Sequence, residues 1–385
     1  MGRAEDRIEQ NDPTLTEVCI GSFIGNLHLS GGYNVGLCVP SDSASFARLG
    51  DAIGKNTVLG KVCFSGNYEL GDDAARVFTE GFKRNSSISK LGLSRCNLSE
   101  GAGYELLKAF EENGSNLKEI SLMRCGFGSG GFRALTRTLS TCMCLRFLNL
   151  QLSGINDELL EKLIVAVRGH HQLEMLDFSS NNVGSGGCKT LATLIKDTNS
   201  SLCVLALDRN SIDSNGAIVL ANALINNTKL EELHLDGNRN ITSVGWEAFS
   251  RVLCNTSSIN DTFLSNHTLQ CLEEFESGVV PSELAHLLDL NCSRNDKKEI
   301  AIRKILRYHH HLDMEPFFEW DLKVLPLAFG FFDRARGFPL NNEANIDARM
   351  LSSIYQFARA MPMQFLPVTH ITRNKRMLKE VIDEK

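Results

Sequence analysis

The chain has 385 residues, of which 43% are hydrophobic and 22% charged, with only 8 prolines, a composition that buries a core and excludes a disordered protein. Its 46 acidic and 40 basic side chains leave a formal charge of -6, which excludes a general DNA or RNA binder that grips phosphates through bulk charge. Such a length fits either two domains or one elongated architecture.

Residues 1–30 carry early acids at Glu5 and Asp6 and lack the apolar centre of a secretory signal. Gly2 follows Met1 as myristoylation requires, but Asp6 stands where that pattern needs Ser or Thr. The longest apolar run near the C-terminus, residues 324–332, contains Pro326 and is about half of the roughly 20 residues that a spanning helix needs. The expectation is a cytoplasmic chain, with the nucleus left open, that makes no membrane contact. Its 12 cysteines are scattered without a C-x-x-C pair, so no zinc ribbon is expected, and in a reducing compartment all should be free thiols.

The first local motif is Gly50 followed by Gly54, Lys55 and Asn56. A phosphate-binding loop needs four residues between its glycines and Ser or Thr after the lysine; here there are three, then Asn, behind a helical rather than a strand pattern. Gly54 reads instead as the terminator of a helix.

From residue 58 the chain is periodic. Aligned on the second apolar residue of L-x-x-L-x-L-x-x-N/C-x-L, the anchors are Val62, Leu91, Ile120, Leu148, Leu176, Leu205, Leu233 and Thr262, spaced 29, 29, 28, 28, 29, 28 and 29 residues apart. Within one unit Leu205 and Leu207 alternate inward as in a strand, and then Ala217, Leu220, Ala221 and Leu224 recur at i, i+3, i+4 and i+7 as on a helix. Cys188, Leu191, Ala192 and Ile195 repeat that stripe one unit earlier. Each unit is thus a strand, a turn and a helix, and none can cover its apolar face alone, so the units must stack. Strands pack about 4.8 Å apart and helices about 8–10 Å, so the helical side fans outward and a parallel sheet lines the inside of a curved solenoid. The slot filled by Asn67, Asn181, Asn210 and Asn238, and by Cys96 and Cys125, falls where the chain leaves the strand and backbone groups need partners. Ser153 and His267 depart from that slot in the fourth and eighth units. The glycine clusters at 128–131 and 184–187 open the outer helices.

On these residues, 58–269 resemble leucine-rich repeats of the ribonuclease-inhibitor-like class. The resemblance implies an α/β fold, a horseshoe solenoid with a concave parallel sheet and convex helices, and the residues after the repeats are expected to close it with a C-terminal helical cap. Segments 262–272 and 313–336 also resemble leucine-rich-repeat proteins of diatoms, a likeness that brings no activity with it. Residues 15–57 and the strand-like stretch from Leu287 to Asn291 are expected to extend the repeats at either end. The organisation expected is therefore 1–57 as an N-terminal cap and irregular first repeat, 58–292 as repeats, and 293–385 as a helical cap and tail.

Beyond the repeats, residues 297–307 read as a helix with Ile300, Ile305 and Leu306 inward, and residues 345–360 as another with Met350, Leu351, Ile354, Phe357 and Ala358 inward. The aromatic residues Phe317, Phe318, Trp320, Phe329, Phe331 and Phe332 suit the covering of an open solenoid end. His309, His310 and His311 face different directions on a helix and lack an accompanying ligand pattern, so they read as a polar helix end, like His170 and His171. Neither Gly-x-Ser-x-Gly nor His-Glu-x-x-His occurs. No enzymatic activity, cofactor or metal is expected.

If the strands lie as proposed, outward positions form rows across the concave sheet. The first row runs from Lys61 and Lys90 through Phe147, Met175 and Val204 to Glu232 and Asp261. The second contains Cys63, Asn149, Asp177 and His234, and the third Met123, Asp208 and Asp236, with Arg95, Arg124, Leu152 and Arg209 just beyond. The surface is expected to be basic early, apolar in the middle and acidic late, able to bury a partner's apolar groups and orient it by charge. Candidate partner-binding residues are Lys90, Arg95, Met123, Arg124, Phe147, Leu152, Met175, Val204, Asp208, Arg209, Glu232 and Asp236. The expected function is an intracellular protein-binding scaffold or adaptor that recognises its partner on the concave face. The alternative is a GTPase activator of a small Ran-like GTPase, because the Ran GTPase-activating protein is built from the same repeat class. That resemblance implies a catalytic or positioning role for Arg95, Arg124 and Arg209. The mixed-charge, aromatic C-terminal segment departs from the long acidic tail of that family.

Overall fold

The computed structural model describes residues 2–21, 35–66, 69–113, 116–126, 128–273, 280–292 and 297–309. It divides into two compact units, one of Met1–Asn255 and Ser265–Ser293, the other of Thr256–Leu264 and Arg294–Lys385. The first unit opens with α1 (Gly2–Glu9), β1 (Glu17–Gly21), β2 (Val35–Leu37) and α2 (Ser43–Lys55). Strand and helix then alternate: β3 (Lys61–Ser65), β4 (Glu69–Leu70), α3 (Asp72–Phe82), β5 (Lys90–Ser94), β6 (Asn97–Leu98), α4 (Glu100–Asn113), β7 (Glu119–Met123) and α5 (Gly128–Thr141). The alternation continues with β8 (Phe147–Asn149), α6 (Asp157–Val167), β9 (Met175–Asp177), α7 (Ser185–Ile195), β10 (Val204–Ala206), α8 (Ser214–Ala223), β11 (Glu232–His234) and α9 (Ser243–Leu253). Next come α10 (Ile259–Phe263) and α12 (Lys297–Tyr308) in the second unit, with α11 (Ser282–Cys292) between them in sequence but belonging to the first.

Nine strands form one open, wholly parallel sheet in the order β11-β10-β9-β8-β7-β5-β3-β1-β2, and β4 pairs separately with β6. Seven of the eight predicted anchors stand opposite one another, Val62 to Leu91, then Ile120, Leu148, Leu176, Leu205 and Leu233, each at most 1% exposed. The one-residue difference between units is therefore absorbed outside the strands. β1 carries the register on past β3, with Val18 opposite Val62, and β2 lies on its far side. This is a leucine-rich-repeat solenoid, in which each helix of the first unit from α2 to α8 packs on the next, as stacked repeats demand.

The polar slot works by bridging neighbouring units. Asn181 Nδ2 donates to the carbonyls of Leu150 and Phe178 while its Oδ1 accepts from the backbone of Ser153 and Ile155. Asn238 repeats this with Leu207, Leu235, Asn210 and Ile212. Ser153 keeps the donor half of the role, its hydroxyl 2.7 Å from the Leu122 carbonyl. Asn67 lies outside the described residues. A second ladder, which sequence reading missed, sits three residues before the first leucine of a unit. Asn85 Nδ2 donates to Ile53 and Asn56 carbonyls while Oδ1 accepts from Ser87 and Ile88 N–H groups, and Asn56, Asn227 and Asn266 behave alike. His170 occupies the same place; it is buried, and that burial pushes its pKa down.

Three expectations need correction. Gly54 does not end a helix: it lies inside α2, where a side chain on Gly50 or Gly54 would collide with the Phe78 or Gly81 carbonyl of α3. These glycines let two helices approach closely. The eighth anchor, Thr262, is not in a strand. Ser258 and Asp261 cap each other there, the Ser258 hydroxyl accepting from the Asp261 N–H and donating to its carboxylate, and this local signal starts α10. The strand position moves ten residues on, from 262 to 272, because Cys271 bridges Glu232 and the Leu272 carbonyl accepts from the Leu235 N–H. His267 therefore precedes the strand instead of following it. Finally, Leu287 to Asn291 lie within helix α11, where Leu284, Leu287, Leu288 and Asn291 are buried at helical spacing.

In the second unit α12 covers the predicted 297–307, with Ile300 and Ile305 buried, and His309 Nε2 lies 2.7 Å from the Thr262 hydroxyl. His310, His311, the aromatic residues from Phe317 to Phe332 and the predicted helix at 345–360 lie outside the described residues.

Candidate functional site

The registers define the first row across the sheet as Glu17, Lys61, Lys90, Glu119, Phe147, Met175, Val204 and Glu232. Its early members neutralise one another. Lys61 lies 3.1 Å from Glu17 with both side chains buried, and Lys90 lies 2.7 Å from Glu119. Phe147, Met175 and Val204 follow on consecutive strands as an uninterrupted, half-buried apolar strip. The polar stretch before it and Glu232 after it frame that strip.

The second row does not line an open surface. Cys63, Ser121, Asn149, Asp177, Ala206 and His234 are all buried, which corrects their expected outward exposure. Their polar ends turn back to the main chain: Asn149 accepts from the Gln151 N–H and Asp177 from the Ser179 N–H, each at 2.9 Å. Asp208, a candidate contact, is likewise withdrawn at 5% exposure. Its carboxylate accepts the Asp236 N–H at 2.7 Å and the Ser179 hydroxyl at 3.4 Å. A carboxylate so occupied shapes the edge and is not offered to a partner.

Beyond the third row lie Arg95, Arg124, Leu152, Ser180 and Arg209, all with φ between 52° and 57°. In each the left-handed backbone lets the N–H reach the carbonyl of the next unit, extending the ladder by one bond past the strand. The side chains are thrown outward. Arg124 and Arg209 are exposed, Leu152 is 47% exposed and Arg95 is half-buried, as are Met123 and Asp236 in the third row.

The late, acidic end is less acidic than its composition. His234 sits 3.0 Å from Glu232 and 3.9 Å from Asp208. Burial works against its charge, but its hydrogen bond with Cys271 and the carboxylates of Asp208 and Glu232 outweigh that and hold its pKa up at about 9. A charged imidazole at neutral pH offsets one carboxylate. His234 and Cys271 come together only through the displaced last strand position, so sequence spacing carried no sign of the cluster.

Of the twelve residues singled out by sequence, the structure thus places eleven with at least partly accessible side chains on the first row, third row or rim, and buries Asp208. Among the described residues no group of three or more His, Cys, Asp or Glu side chains is arranged to hold a metal ion, and no helix is long and apolar enough to cross a membrane. All twelve cysteines are free.

A family model described as "Leucine Rich repeat" matches residues 170–192 and 226–250, which contain β9 and β11. The chain is 27% identical over 247 residues to NACHT, LRR and PYD domains-containing protein 5 of Mus musculus, covering 62% of this chain and 21% of that protein. It is 26% identical over 193 residues to the ribonuclease inhibitor of Mus musculus, covering 50% of this chain and 42% of that one. The chain thus spans less than half the length of either relative. An internalin of Listeria monocytogenes superposes with a TM-score of 0.31 at 15% identity, over 64% of this chain and 87% of that one.

Proposed function

We propose that this chain, a leucine-rich-repeat protein of the ribonuclease-inhibitor-like class, is a non-catalytic protein-binding scaffold whose partner docks on the concave sheet. The observation that carries this reading is the strip of Phe147, Met175 and Val204 on adjacent strands, on a face whose neighbours are polar or charged. A few apolar anchors ringed by polar groups concentrate binding energy, because the ring excludes water from the centre. The relative named ribonuclease inhibitor supports a protein as the ligand class. Cytoplasmic residence is part of the same reading.

Affinity capture with the wild-type chain beside a Phe147→Asp/Met175→Asp double variant tests it. The variant should retain at least about tenfold less of the partners held by the wild type, as loss of central anchors predicts. Equal retention by a variant with unchanged circular dichroism overturns the reading. The second reading, activation of a small GTPase, is favoured by the outward arginines Arg95, Arg124 and Arg209. A GTP-hydrolysis assay across a panel of small GTPases tests that reading, and no stimulation removes it.

A further inference from the structure

The beginnings and ends of the strands treat positive charge differently. In the first row both lysines are matched by carboxylates on the neighbouring strand, and beside it Arg146 forks onto Glu174 at 2.7 and 2.8 Å. Past the strand ends Arg95, Arg124 and Arg209 have no side-chain hydrogen bond or ion pair with any described residue. Arg95 and Arg124 occupy adjacent units, so two cations with no described partner stand side by side.

The backbone makes their presence informative. Each arginine has a left-handed φ of 52–54°, a conformation that glycine enters freely and a side chain resists. The same row does use glycine at its two ends, Gly66 with φ 137° and Gly237 with φ 72°. Gly237 also makes room, since a Cβ there would stand 2.7 Å from Cγ of Arg209. Side chains held against such a preference mark places where the side chain itself is used.

We infer that this rim takes an extended acidic segment of the protein partner, with one carboxylate on Arg95 and Arg124, an apolar side chain on Leu152 and a second carboxylate on Arg209. The inference rests on the concave-face reading and names the chemistry of the partner's contact. Charge complementarity selects the occupant: the rim offers cations and one exposed leucine, and of the two acids in the row before it Asp208 is buried and hydrogen-bonded while Asp236 is half-buried. The spacing agrees. Arg124 and Arg209 are three units apart, about 14 Å at the spacing of paired strands, and an extended peptide covers about 13 Å in four residues with alternate side chains on one side. The pattern fitted is acid, any, apolar, any, acid.

The test selects short peptides from a random display library on the immobilised full chain, in wild-type form and as Arg95→Glu/Arg124→Glu and Phe147→Asp/Met175→Asp variants. All three must share one circular dichroism spectrum. Wild-type pools should be enriched in Asp and Glu around an apolar residue, and a fluorescent copy of the best peptide should bind the arginine variant at least about tenfold more weakly and weaken as salt rises. Neutral or basic pools, pools unchanged by the arginine substitutions, or no enrichment above bare resin each overturn the inference. So does tighter binding of an RNA oligonucleotide of equal charge than of the peptide. Apolar pools without acids that vanish in the Phe147→Asp/Met175→Asp variant overturn this inference alone and leave the concave-face reading standing. Pools indifferent to both variants sink the two together.

Discussion

The strand beginnings and the strand ends of this sheet face the same problem, like positions brought side by side by parallel pairing, and resolve it in opposite ways. At the beginnings lysine lies next to glutamate on the adjoining strand, and the deepest pair, Lys61 with Glu17, is only 5–6% exposed in its side chains. At the ends arginine adjoins arginine on left-handed backbone, Arg95 half-buried and Arg124 exposed. Charge at the first edge is therefore part of the scaffold, because a buried ion stripped of its partner is costly. The arginines at the second edge have no side-chain hydrogen bond or ion pair with any described residue and so remain available to another molecule.

The difference is largest, and easiest to break, at Lys61. Lys61→Met leaves the Glu17 carboxylate buried and alone and should lower stability by about 3–5 kcal/mol. Lys90→Met, at the more accessible pair with Glu119, should lower it by less, about 1–3 kcal/mol. Urea unfolding midpoints of the two variants measure this, and equal shifts would show that burial does not set the value of these pairs. The acidic end supplies the next effect. The native state raises the His234 pKa from 6.5 to about 9, so the charged ring stabilises the fold fully below pH 6.5, and that contribution disappears as pH climbs through 9. Thermal unfolding of the wild type should weaken over this window more than that of His234→Gln; parallel profiles would mean that Asp208, Glu232 and Cys271 do not hold the ring charged. The smallest effect sharpens the contrast from the other edge. Arg124→Gly relieves a left-handed arginine and should raise stability by about 1 kcal/mol. A loss of stability on that substitution would give Arg124 a scaffold role and erase the distinction.

Much of the fold was legible before any coordinates. Seven anchors chosen from a repeat pattern are paired residue for residue, because leucines that must face a shared core leave almost no freedom to slip the register. The eighth failed at Thr262 because periodicity is blind to competition: Ser258 and Asp261 make a helix start that the 29-residue count does not see. The second asparagine ladder could have been read by stacking the units and looking left of the first leucine, where Asn56, Asn85, Asn227 and Asn266 fall three residues ahead of Leu59, Ile88, Leu230 and Leu269. No comparable signal announced the burial of Asp208, since an outward position on a strand says nothing about whether a short side chain will turn back to its own main chain.

Periodicity alone determined the class of structure: a unit with one apolar strand face and one apolar helix stripe cannot be stable singly, and stacking such units admits only a sheet lined by helices. Tertiary structure decided which polar groups are satisfied and which are left over. Whether a charge is neutralised depends on what the adjoining unit places a few ångströms away, and residues about 29 positions apart meet only once the turns, the displaced last strand position and the left-handed rim have set the register. Lys61 and Arg124 carry the same formal charge; their neighbours across the stack bury one in a pair and leave the other open to solvent.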